Sequence, residues 1–68
     1  MTITSTMPAH QIASVLARYC NDHDIPLSRF GRQAVGDPRL IHDVQGGRTL
    51  RPATVARINR ALAREGRA

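Results

Sequence analysis

In the stretch "GDPRLIHDVQGGR", Arg39, His42 and Gln45 recur three residues apart. On a helix, Leu40, Ile41 and Val44 form the inner stripe; Arg39 and His42 point the other way, with Asp43 and Gln45 at their flanks. Arginine places two donors on the O6 and N7 acceptors of guanine, so the chemistry on offer is hydrogen bonding to base edges. Arg39, His42 and Gln45 are the candidate base readers, and a solvated surface is the plain alternative for Arg39 and His42. Ser28, Arg29, Arg32, Gly47, Arg48 and Arg51 lie beside them in sequence. They are the candidate phosphate contacts, which position a protein without carrying sequence information directly.

Other chemistries find no residues to carry them. His23 stands between Asp22 and Asp24, but nothing supplies a nucleophile, an oxyanion site or a pocket, so no catalytic residue is assigned and no enzyme is expected. No Cys or His stands at ligand spacing from His42, so no metal is expected, and no cofactor or small-molecule ligand either. Cys20 is the lone cysteine, which rules out an intrachain disulfide and reads as packing.

The bulk properties favour a polyanionic partner. The chain has 68 residues, net charge +5 and a pI near 11.4, and all ten of its basic residues are Arg. Arg favours planar, bidentate contact over the point charge of Lys. Nucleic acid is the commonest partner of such a chain, with a membrane surface the weaker option. Hydrophobic content of 41% is too high for disorder. No apolar run reaches the ~20 residues that span a bilayer, and the first residues lack a secretory pattern, so a cytoplasmic location is expected.

Four helices must position these side chains, and no strand is expected. Residues 1–6 read as a flexible arm, and residues 7–66 as one domain. Thr6-Met7-Pro8 offers a cap for the first helix, whose inner face is Ile12, Val15, Leu16, Tyr19 and Cys20 and which ends near Asn21. Ser28 is the expected N-cap of a second helix over about 28–35, with Phe30 and Ala34 inward. Gly36 ends it. Asp37 caps a third helix over about 38–46, Pro38 takes its first position, and Gly46-Gly47 stops it. Pro52 opens a fourth helix with Val55, Ile58 and Leu62 inward, Arg57, Arg60 and Arg64 on a solvated opposite face, and Gly66 at its end.

Two short helices joined by a tight Val-Gly-Asp turn have the helix-turn-helix arrangement. The run "LSRFGRQAVGDPRLIHDVQGGRTLRPATVARI" resembles the Cro/C1-type, lambda-repressor-like helix-turn-helix domain. Phe30 and Ala34 match that family's apolar anchors, and Gly31 its small residue where the second and third helices cross. Ile41 and Val44 match the apolar positions of the recognition helix, Gly47-Arg48 the turn that follows, and Pro52 the proline opening the next helix. Val35-Gly36 reverses the family's usual order in the turn, and Asp37 replaces its usual Ser or Thr cap. The resemblance implies an all-α, four-helix fold and a sequence-specific double-stranded DNA-binding transcriptional regulator. The simplest form is a repressor that acts as a homodimer on an inverted repeat. The competing class is an antitoxin-like or adaptor module whose main partner is a protein; Met1, Ile3, Met7 and Leu50 are the spare apolar residues it would use.

Overall fold

Four helices build the domain in the computed structural model, which describes residues 2–65: α1 (Ala9–Asp22), α2 (Leu27–Val35), α3 (Leu40–Gln45) and α4 (Pro52–Glu65). The described residues contain no strand, so the chain is all-α. Met1 and the expected stop at Gly66 lie outside the described residues.

Prolines and left-handed residues set the limits of α1 and α2. Pro8, not Thr6, stands at the start of α1; its carbonyl accepts the N–H groups of Gln11 (3.0 Å) and Ile12 (3.1 Å), and no side chain caps the helix. Pro26 does the same for α2, accepting the Phe30 N–H at 3.1 Å, so Ser28 falls inside the first turn and is not the cap. In both cases the fixed φ of proline pre-sets extended backbone from which the helix departs. At the far end of α1, Asp24 adopts φ 58. The Asp24 N–H reaches the Asn21 carbonyl (3.3 Å) and the Ile25 N–H that of Cys20 (2.8 Å), the paired bonds of a Schellman stop. Gly36, at φ 74, ends α2 with its N–H on the Arg32 carbonyl at 2.9 Å.

The third helix is shorter than the pattern predicts. Arg39, not Asp37, stands at the N-cap of α3, and no side chain caps it. Asp37 caps only the preceding turn, accepting the Arg39 N–H on Oδ1 at 2.9 Å while its carbonyl takes the Leu40 N–H in a tighter three-residue turn. Helical bonding begins only with the Asp43 N–H on the Arg39 carbonyl (2.9 Å), so Pro38 and Arg39 belong to the turn. Gly47 ends the helix at φ 101, while Gly46 keeps an ordinary negative φ. The N–H of Gly47 on Val44 (3.0 Å) and of Arg48 on Asp43 (3.0 Å) form a second Schellman stop.

Packing explains how six residues stay helical, since so short a helix is unstable alone. Leu40, Ile41 and Val44 are completely enclosed by α1 and α2. Phe30 lies edge-on to Tyr19 at 5.8 Å between ring centroids, and the Tyr19 hydroxyl donates to the Leu62 carbonyl at 3.4 Å. α2 stands between α3 and α4, which share no helix–helix contact. Where α2 meets α3, a Cβ on Gly31 would overlap the Asp37 carbonyl oxygen and lie 3.0 Å from the Leu40 Cβ.

Ile3 does not belong to a free arm. Ile3 is 1% exposed and sits in the core, while the Asn59 amide clamps its backbone from α4. The Ile3 N–H donates to Asn59 Oδ1 and the Asn59 amide donates to the Ile3 carbonyl, each at 2.8 Å. Leu50 is buried as well, and Met7 packs partly against the core, so neither Ile3 nor Leu50 is spare apolar surface. Polar residues at 2 and 4–6 hid this, because one isoleucine leaves no periodicity to read.

Two expectations follow. Gly31→Ala should destabilise the domain by about 1–3 kcal/mol, because only backbone movement relieves the overlap. Gly46→Ala, where a Cβ meets ordinary contacts at 3.4 Å, should leave the melting midpoint near that of the parent. Thermal melting of the two variants side by side checks the pair, and equal midpoints would refute it. Asn59→Ala should expose the Ile3 amide, so that hydrogen exchange at Ile3 accelerates at least tenfold while the amides of α3 keep their protection.

Candidate nucleic-acid interface

The outward side of α3 carries Arg39 and His42, both exposed, one turn apart and opposite the enclosed stripe. Gln45 is also exposed, but it stands on the flank. With His10, Ala13, Ser14 and Ala17 of α1 it lines a shallow groove between α1 and α3. The structure therefore groups Arg39 with His42 and turns Gln45 toward α1.

The six candidate phosphate contacts fall into two groups. Ser28, Arg29 and Arg32 are exposed on α2. Gly47, Arg48 and Arg51 are exposed in the segment after α3, where the Arg51 carbonyl takes the Val55 N–H (3.0 Å) as α4 begins. Arg48 is not a free cation. Its Nη1 lies 3.2 Å from Asp37 Oδ2 and 3.5 Å from Asp43 Oδ2, and its side chain is 44% exposed.

This bridge is not legible in the sequence, since Asp37 precedes α3 and Arg48 follows it. It closes only because the Gly47 turn folds the chain back over the start of the helix. Exposed ion pairs contribute little to stability, about 0–1 kcal/mol. The effect here is on geometry and charge: one guanidinium ties both ends of the helix and offsets two carboxylates that would otherwise repel an approaching phosphate.

The Asp37 carboxyl is held below its ordinary value of 3.8 chiefly by the Arg39 N–H; desolvation is the next largest effect and opposes it, while the hydrogen bond and charge of Arg48 and the charge of Arg39 lower it further. Burial pushes the Cys20 thiol up, and Cys20 is 1% exposed, so it serves the core and not as a nucleophile. The His23 ring lies 4.4 Å from that of Tyr19, a packing contact at the end of α1. Among the described residues no group of three or more His, Cys, Asp or Glu is placed to hold a metal ion. No helix among them is long and apolar enough to cross a membrane.

Comparisons with protein-family models, with curated proteins and with solved structures find no match. A functional reading therefore rests on the geometry and charge of the α2–turn–α3 unit.

The Asp37 cap has a measurable signature. Its carboxyl carbon, followed by NMR, should titrate below 3.8. Because the folded-state pKa is depressed, the stabilisation it provides is present above 3.8 and is lost as pH falls through the lowered value. Arg48→Gln should raise the midpoint only part of the way, since the Arg39 N–H remains. A parent midpoint at or above 3.8 would show that the cap does not form in solution.

Proposed function

We propose that this chain is a sequence-specific double-stranded DNA-binding transcriptional regulator of the Cro/C1-type, lambda-repressor-like helix-turn-helix class. α3 is the recognition element, and binding to a promoter represses by blocking polymerase. The observation that carries the reading is the close seat of α3 on α2 at Gly31, which buries Leu40, Ile41 and Val44 while leaving Arg39 and His42 outward. A short helix fixed on one side and polar on the other suits insertion into the major groove, where its N-terminal residues meet base edges. Arg39 at its start is the guanine reader, and His42 lies one turn further along.

Affinity comes chiefly from phosphate. Arg29, Arg32 and Arg51 are exposed cations beside α3, and the backbone at Gly47 turns away without a side chain between it and the groove wall. Arg48 contributes by offsetting Asp37 and Asp43 through its Nη1.

One recognition helix reads only a few base pairs, so a homodimer on an inverted repeat is proposed, with half-sites about one helical turn, ~34 Å, apart. Leu27, at 38% exposure, is the exposed large apolar side chain among the described residues. It gives free chains little apolar area for pairing, so DNA brings the two copies together. The same observation weighs against an adaptor that docks through an apolar face.

Selection from a random duplex library supplies the preferred site. On that site, Arg39→Ala should lose about 1–3 kcal/mol of discrimination while binding to scrambled duplex changes little. Arg32→Ala should weaken both alike and make the log–log salt dependence shallower by about 1. Equal losses on both duplexes for Arg39→Ala would remove α3 as the reading element, and failure to enrich any sequence would remove the function.

A further inference from the structure

Arg57, Arg60 and Arg64 are exposed, as the helical pattern predicts, and with Gln33 of α2 they line one groove of about 190 Å³. Ala34 and Ala61 form its floor, where the two helices approach. None of the three arginines pairs with a carboxylate among the described residues, where the ion pairs belong to Arg48. Like charges three and four residues apart on a helix repel, each pair costing a few tenths of a kcal/mol. The position of Arg64 in the last turn of α4 suits the helix dipole, but that reason does not extend to Arg57. Three guanidinium groups without a carboxylate partner among the described residues, set around one polar groove, suit an anionic ligand.

The groove lies on the far flank of α2 from α3. Gly31 faces α3, and Gln33, two residues on, is roughly 160° around the helix. Arg57 to Arg64 spans about 10.5 Å of helix axis. One strand carries a phosphate per about 3.4 Å of duplex axis, so a helix lying along that axis passes about three of them. Arginine, with its planar fork of donors, and a neutral amide at Gln33 suit phosphate oxygens.

From this arrangement we infer that the α2–α4 groove is a second DNA surface, which holds the sugar-phosphate backbone of a duplex without reading its sequence. Arg29 and Arg32, on the outer face of α2, continue the positive strip toward the reading side. The inference rests on the DNA-binding reading above and adds to it a contact that α3 does not make.

The test uses a labelled 20-base-pair duplex of random sequence, which takes base reading out of the measurement. The full chain carrying R57Q, R60Q and R64Q together should bind this duplex at least tenfold more weakly. Its log–log salt slope should be shallower by about 2–3, the value for three lost phosphate contacts. Gln has nearly the helix propensity of Arg, and a melting curve checks the fold. Gln33→Glu, a milder change that places an anion in the groove, should also weaken binding.

If the parent binds random duplex and neither variant alters affinity or slope, the second surface is refuted and the reading of α3 stands. If the parent binds no duplex at all, both fall. A third arm adds poly-glutamate at the same ionic strength. Should it bind the parent as tightly as the duplex does, and lose that binding in the triple variant, the groove takes an acidic protein segment and the DNA inference is overturned.

Discussion

No side chain fits at Gly31. A Cβ there would overlap the Asp37 carbonyl oxygen, so the backbones of α2 and of the turn before α3 lie in direct contact. That approach allows Leu40, Ile41 and Val44 to reach the core from a helix of only six residues. It also sets the direction in which Arg39 and His42 leave the surface. A larger residue would push α3 outward by a fraction of its own diameter, and the enclosed stripe would lose contacts on which the helix depends.

Around that contact, hydrogen bonds at both ends do what helix length cannot. Asp37 caps the turn that leads into the helix through the Arg39 N–H, the Gly47 turn satisfies the last carbonyls, and Arg48 reaches back to both carboxylates. Each contribution is small alone. Together they restrict the helix to one pose, which the proposed reading role needs more than it needs stability. The same economy appears at the N-terminus, where Asn59 pairs both polar groups of the Ile3 peptide and so admits an isoleucine side chain to the core.

Charge is distributed to match. Core positions hold no charged side chain among the described residues; apart from Arg18 on α1, the described arginines stand on α2, around α3 and on α4. α2 divides them. One set borders the outward side of α3, and the other borders the groove with α4.

Much of the fold is legible in the amino-acid sequence alone. Four helices, the inward stripes of α1 and α4, the anchors Phe30 and Ala34 and the turn at Gly36 all follow from periodicity and turn chemistry, which act over neighbouring residues, whereas the close approach at Gly31 is expected only from the resemblance to helix-turn-helix domains. Of the candidate interface, the outward pair Arg39 and His42 is legible for the same reason. Long-range placement decided the rest. The burial of Ile3 against Asn59, the capture of Arg48 by Asp37 and Asp43, the turning of Gln45 toward α1 and the facing of the α4 arginines toward Gln33 join residues that no local pattern links. Proline carbonyls displaced Thr6 and Ser28 as helix starts, since a cap is settled by which carbonyl the first amides can reach. Local spacing determined which residues face outward; the packing of helices on one another determined what each of those residues meets.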